Sequence, residues 1–197
     1  MTSSVLAALA AFAFVTTVTP GPNNLMLLAS GANFGFKKTL PHMFGIVVGL
    51  SGLTLVVGGG LMALFEAYPV LNTWLSILST GYLLWLAWKI ATATPLNESN
   101  HKGSPMTLLQ AAAFQWVNPK AWAMGLSAIT LYAPNKSIFS VLMVTSVFVI
   151  ISFPAISVWA WLGIMVRQWL TSHRRYRIFN ITMALLLIAS LYPVLSH

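Results

Sequence analysis

Cysteine is absent from the chain, which excludes disulfides and thiolate metal sites. Acidic residues are almost absent: among 197 residues only Glu66 and Glu98 are carboxylates, and charged residues amount to 6%. Soluble domains carry roughly 25%, so this chain cannot present a mixed, charged surface to water. Enzyme signatures are missing too. There are no paired carboxylates, no His-Glu-x-x-His, no phosphate-binding loop and no Gly-x-Ser-x-Gly elbow. The four histidines, His42, His101, His173 and His197, are far apart in sequence, so neither a metal nor a cofactor is expected. The chain reads as something other than an enzyme.

What is present is apolar: 58% hydrophobic residues and a mean hydropathy of +0.82. Such runs must face lipid or one another, and the fold class that follows is an all-α, polytopic membrane protein. The net charge of +8 does not point to nucleic acid, because the basic residues flank apolar segments instead of forming one dense patch. They read as topology signals and contacts to anionic headgroups. Residues 1–18 contain no Lys or Arg, so the charged start of a signal peptide is missing and this stretch is expected to remain as a first span.

The chain is organised around Thr19-Pro20-Gly21-Pro22-Asn23-Asn24, a polar helix-breaking stretch between apolar Val5–Val18 and Leu25–Ala29. Proline lacks the amide hydrogen and its ring clashes with the preceding turn. The backbone groups freed here need partners that lipid cannot supply, which places such a break inside protein or beside a hydrated cavity. The plainer alternative is that it simply ends a short first helix.

Five further spans follow, at about Thr39–Leu64, Val70–Ile90, Met106–Tyr132, Ile138–Val166 and Ile178–Leu195. Each is near or above the roughly 20 residues needed to cross the hydrocarbon core. In the second, Gly45-x-x-x-Gly49 sets two small residues one turn apart, a helix-packing pattern in lipid. The fourth is interrupted at Asn118-Pro119-Lys120, the fifth carries Pro154, and residues 91–105 read as a flexible linker. With six spans, Lys37, Lys38, Lys89, Lys102 and Arg167–Arg177 share one face, which the positive-inside rule makes cytoplasmic, leaving both termini outside. A five-span count would put the ends on opposite sides. A shift of about 99 residues carries Pro20 onto Pro119 and Lys37 onto Lys136. The expected architecture is therefore one transmembrane domain of two inverted three-span halves, 1–98 and 106–197, each opening with a Pro-broken helix.

Lys120 is the most informative polar residue. An ammonium inside a membrane helix is costly and faces the bundle interior or water. With Asn118 and Pro119 it offers charge, an amide and freed backbone, the elements that hold a small carboxylate; Asn23 and Asn24 are the counterparts in the first span. The alternative is that Lys120 snorkels outward and Asn118 caps its half-helix. His42 is the one histidine placed to titrate in a pathway, against an interfacial role after Pro41. Ser30, Ser51 and Thr54 are further polar candidates, and Trp116, Trp122, Trp159 and Trp161 either line a pathway or fill helix interfaces.

Thr19–Asn24, Gly81-Tyr82-Leu83-Leu84-Trp85-Leu86-Ala87-Trp88-Lys89 and Val117-Asn118-Pro119-Lys120 together resemble the LysE/RhtB family of small amino-acid exporters, over essentially the whole chain. The resemblance implies a bacterial inner-membrane protein that exports amino acids, driven by the proton motive force. It maps the functional neighbourhood onto Pro20, Gly21, Pro22, Asn23, Asn24, Asn118, Pro119 and Lys120. Many family members carry an Asp shortly after the glycines of the second span, whereas Gly49-Leu50-Ser51-Gly52 has none. The pattern is closest to the branch exporting cysteine and O-acetylserine, or other small neutral amino acids. Export of basic amino acids, a passive channel for small solutes and a non-transporting assembly subunit are the alternatives. The expected partners are the amino acid and lipid, with the chain a monomer or a homodimer.

Overall fold

The computed structural model describes residues 1–93, 104–135 and 137–191. Expectations resting on Glu98, His101, Lys102, Lys136 and His197, and on most of the 91–105 linker, lie outside the described residues. Among those described, all regular structure is helical: α1 (Ser3–Val18), α2 (Pro22–Phe34), α3 (Phe36–Val56), α4 (Met62–Ala67), α5 (Val70–Ala91), α6 (Leu108–Gln115), α7 (Pro119–Tyr132), α8 (Ile138–Arg167) and α9 (His173–Ala189).

The helix ends follow from local chemistry. Thr2, Thr107, Ser137 and Ser172 cap α1, α6, α8 and α9 by accepting a first-turn amide, and Thr107 and Gln110 form a reciprocal capping box. Proline starts both α2 and α7, where its missing amide hydrogen costs no intrahelical bond. Gly35, at φ 81°, lets the chain turn from α2 into α3 with a single residue. The second span is not one run to Leu64: α3 gives way to a π-helical turn, Val57–Leu61, in which Gly60 takes φ 109°. Three successive glycines there remove the side chains that would hold a regular helix.

α8 is the central post, packed against α1, α2 and α3, while α3 packs on α6 and α5 on α9. Close approach is glycine-dependent at both main crossings. A Cβ on Gly31 would lie 2.1 Å from Ala160 O, and one on Gly163 would lie 2.1 Å from Leu28 O. Gly45 and Gly49 meet α6 in the same way, 2.3 Å from Leu108 O and 2.5 Å from Ala112 O. Small residues let backbones touch where lipid provides no hydrophobic drive for helix association.

Two apolar clusters result. One gathers Leu27, Met43, Leu83, Phe114, Ile156 and Leu187; the other gathers Leu9, Leu53, Ala128, Ile129, Val144 and Phe148. Outward-facing Trp74, Leu109, Ile138, Phe139 and Ile150 remain exposed, as suits a lipid-facing surface. Three helical stretches are long and apolar enough to cross a membrane, Phe36–Leu61, Val70–Ala91 and Ile138–Arg167, and the bent pair α1–α2 makes four if it is one span. The chain is thus a multi-pass membrane protein. α6 and α7 divide the expected fourth span into 8 and 14 residues, and α9 has 17 with Arg174, Arg175 and Arg177 in its first turns. Among the described residues, none of these three helices meets the length and composition of a span by itself.

Candidate functional site

The two Pro-containing breaks meet. α1 and α2 are bent by 59° at Thr19–Gly21, and each carbonyl released at the bend has a donor. Thr16 O accepts the Thr19 hydroxyl at 3.0 Å. Thr17 O and Thr19 O accept both hydrogens of the Asn24 amide, at 2.8 and 2.7 Å. Val18 O accepts Trp159 Nε1–H from α8 at 2.9 Å, and Gly21 O accepts the Leu25 amide. The buried hydroxyls of Thr17 and Ser152 meet at 3.3 Å and tie α1 to α8.

Lys120 completes the set. From α7, its ammonium donates to Thr19 O at 2.5 Å, Thr19 Oγ1 at 3.0 Å and Pro20 O at 3.4 Å. Three donors face three oxygens, so the lysine of the second break serves the backbone of the first. Gly21 makes this approach possible, because a Cβ there would lie 2.7 Å from Lys120 Cδ. The Gly21 backbone is extended (φ 179°), so glycine is needed here for space and not for conformation.

The second break is satisfied in parallel. Asn118, fully buried, caps α7 by accepting the Lys120 amide at 3.1 Å. Trp116 O accepts Trp122 Nε1–H at 2.9 Å, and the Ser79 hydroxyl is shared between Leu75 O and Val117 O. A second bridge joins the breaks directly: Asn23 Nδ2 donates to Gln115 Oε1 at 2.8 Å and Gln115 Nε2 donates back to Asn23 Oδ1 at 3.2 Å. Gln115 also accepts from Asn118 Nδ2 at 3.4 Å.

These groups wall a cavity with about 330 Å³ of empty space including the part open to solvent, lined by Thr17, Gly21, Asn23, Asn24, Gln115, Asn118 and Lys120 and by the apolar Ile46, Leu50, Ala121, Met124 and Ile156. Of the residues expected at the site, Gly21, Asn23, Asn24, Asn118 and Lys120 line it. Pro20 is exposed and contributes its carbonyl, while Pro22 and Pro119 start the half-helices. Ser51 is not brought here, since its hydroxyl turns back to Val47 O at 2.7 Å. His42 lies in a different cavity. Trp122 and Trp159 serve as carbonyl caps, and Trp161 is 61% exposed.

Gln115 and Thr17 escaped sequence reasoning. Gln115 had a signal, an amide in an apolar helix three residues before Asn118. Thr17 resembles any threonine of an apolar run. Among the described residues the lining offers one cation and several amides, a composition suited to an anionic group with polar neighbours.

The profile of the LysE type translocator family matches residues 14–190. The cysteine/O-acetylserine efflux protein of Escherichia coli strain K12 is 30% identical over 190 residues, covering 95% of this chain and 96% of that protein. The protein of the same name from Salmonella typhimurium strain LT2 is 29% identical over 191 residues, with 95% and 96% covered. No solved structure matches the chain.

Proposed function

Because the chain belongs to the LysE type translocator family, we propose that it is a secondary transporter exporting small neutral amino acids, of the cysteine and O-acetylserine kind, across the bacterial inner membrane. The carrying observation is the Lys120 ammonium seated on Thr19 O and Thr19 Oγ1, which joins the two breaks through a group able to exchange partners. A substrate carboxylate entering the cavity competes with those oxygens for the ammonium, and the weakest contact, Pro20 O at 3.4 Å, is the first to yield. Asn23 and Gln115 offer directional bonds to the rest of the zwitterion. Only two carboxylates occur in the whole chain and neither belongs to the sequence of either break, which favours neutral substrates over lysine or arginine.

Alternating access follows from this arrangement. The halves 1–98 and 106–197, taken as six crossings in two inverted repeats, rock about the cavity and expose it to either side. The pairing of α1 with α8 and of α6 with α3 supports the repeat, since each half's broken helix packs on the long helix of the other. Lysines and arginines on the cytoplasmic face leave both termini outside. Coupling to the proton motive force, with His42 as a candidate carrier, belongs to the same proposal.

The test is efflux of preloaded labelled amino acids from vesicles, comparing wild type with Lys120→Met. Loss of saturable efflux is expected, and unchanged transport by a correctly folded variant would overturn the role given to Lys120. Collapsing the pH gradient should abolish concentrative efflux. Flux that never saturates would indicate a passive channel instead.

A further inference from the structure

A second cavity, with about 510 Å³ of empty space including the part open to solvent, lies beside the first along the same two helices. Asn24 of α2 faces the break cavity, whereas Met26, Ser30 and Asn33 line the second; on α3, Ile46 lines the first and His42, one turn away, the second. α5 closes it with Leu86, Lys89 and Ile90.

Some of its polar groups are paired, Ser30 with Thr39 and the Asn33 side-chain amide N–H with Asn180 Oδ1, but others are not. Three buried side-chain atoms among the described residues lack a hydrogen-bond partner: His42 Nδ1, His42 Nε2 and Asn33 Oδ1. All three belong to residues lining this cavity, and their residues are 1% and 3% exposed. Buried polar atoms are nearly always paired, with protein, water or ligand, so three orphans beside one cavity call for a polar occupant. The half-buried Lys89 adds a positive charge at the last turn of α5, its ammonium 5.4 Å from the Trp85 ring centroid.

We propose that this cavity is a loading site for a small neutral amino-acid zwitterion on its way to the helix breaks. The carboxylate faces Lys89 and the N–H of the His42 imidazole, and the ammonium faces Asn33 Oδ1 and the other imidazole nitrogen. Met26, Leu86, Ile90 and Met106 supply an apolar wall for a short side chain. An inorganic anion leaves Asn33 Oδ1 unanswered, and a simple amine leaves Lys89 unanswered; a zwitterion meets both. By the positive-inside rule Lys89 is cytoplasmic, the side from which an exporter loads. The proposal rests on the export reading, but it does not involve Lys120.

The chain has no native cysteine, so Ala93→Cys places a single thiol in the cavity lining. Its rate of modification by a methanethiosulfonate reagent is measured in the reconstituted protein with L-serine, O-acetyl-L-serine, ethanolamine or glycolate added. At ten times its Kd a zwitterion should slow labelling about elevenfold by mass action, and ethanolamine and glycolate should not. Protection should persist in Lys120→Met and be lost in Lys89→Gln, which removes the charge and keeps a polar side chain of similar length. Unchanged labelling under saturating zwitterion overturns the proposal. So does equal protection by glycolate or by added anionic phospholipid, which would mark an anion or lipid site, and so does protection that vanishes with Lys120→Met. Direct binding of labelled L-serine is the second measurement: two classes of site in the wild type and one in Lys89→Gln are expected, and a single class unaffected by Lys89→Gln overturns it. Export that survives Lys120→Met while protection persists would remove the break-site reading and leave this one standing.

Discussion

Asn23 and Gln115, separated by 92 residues of sequence, exchange amide hydrogen bonds of 2.8 and 3.2 Å and so join the two interrupted helices. Gln115 is fully buried, and its amide also reaches Ala111 O and Asn118 Nδ2. Truncating one partner therefore strands polar atoms of the other. Gln115→Leu should destabilise the protein by about 1–3 kcal/mol, the cost of leaving a buried group unpaired. In the double variant with Asn23→Leu the losses should not add, leaving a coupling of about 0.6 kcal/mol and at most about 1.7 kcal/mol, the mean and maximum measured between membrane helices. Thermal unfolding of the four proteins in detergent checks this.

The Val18 carbonyl depends on Trp159 Nε1–H at 2.9 Å. Trp159→Phe keeps an aromatic ring against the core but removes that donor. Stability should fall by about 1–3 kcal/mol, and hydrogen exchange in the last turn of α1 should accelerate. An unchanged exchange pattern would mean that another group takes over Val18 O.

Glycine substitutions should divide sharply by environment. Gly31→Ala drives a Cβ to within 2.1 Å of Ala160 O, backbone against backbone, so α2 and α8 must separate. A loss of about 1–3 kcal/mol or more is expected from such overpacking, read as lower yield of folded protein. Gly81, in α5, has nothing within 4 Å of a Cβ. Gly81→Ala should be neutral or stabilise by about 0.5–1 kcal/mol, the helix-propensity difference.

The all-helical class was legible because continuous apolar runs of about 20 residues suit membrane helices, whereas barrel strands need only about 10 residues of alternating polarity. Both breaks were legible because proline acts locally and its effect on a helix does not depend on tertiary context. The Gly45–Gly49 spacing pointed to close helix contact, but not that the partner would be α6. The role of Lys120 was harder. Sequence gave its charge and its position after Asn118-Pro119, yet the oxygens it faces are main-chain groups of Thr19 and Pro20, and every residue has a carbonyl. Ser51 looked like a polar lining residue and instead bonds to its own helix, an option open to any helical serine. The end of α3 at Val56 was left open by the sequence, because the glycines after Val57 can continue a helix or loosen it, and packing decides which.

Gly21 offers a way to disturb Lys120 without touching its charge. The glycine is extended, so Gly21→Ala introduces no backbone strain, but the new methyl would sit 2.7 Å from Lys120 Cδ and 3.1 Å from Nζ. The lysine stem must swing away, and its hold on Thr19 weakens while Asn24 keeps Thr19 O satisfied at 2.7 Å. Folding should therefore suffer little. Export should fall by about ten- to a hundredfold, the equivalent of one hydrogen bond to a charged group. Adding Lys120→Met to Gly21→Ala should reduce export little further, because both changes take the ammonium away from a carboxylate bound between the breaks. Saturation kinetics of efflux for the two single variants and the double separate the possibilities. Losses that multiply would mean that Gly21 acts on transport by a route other than Lys120, and wild-type export by Gly21→Ala would show that the lysine need not hold the first break at all.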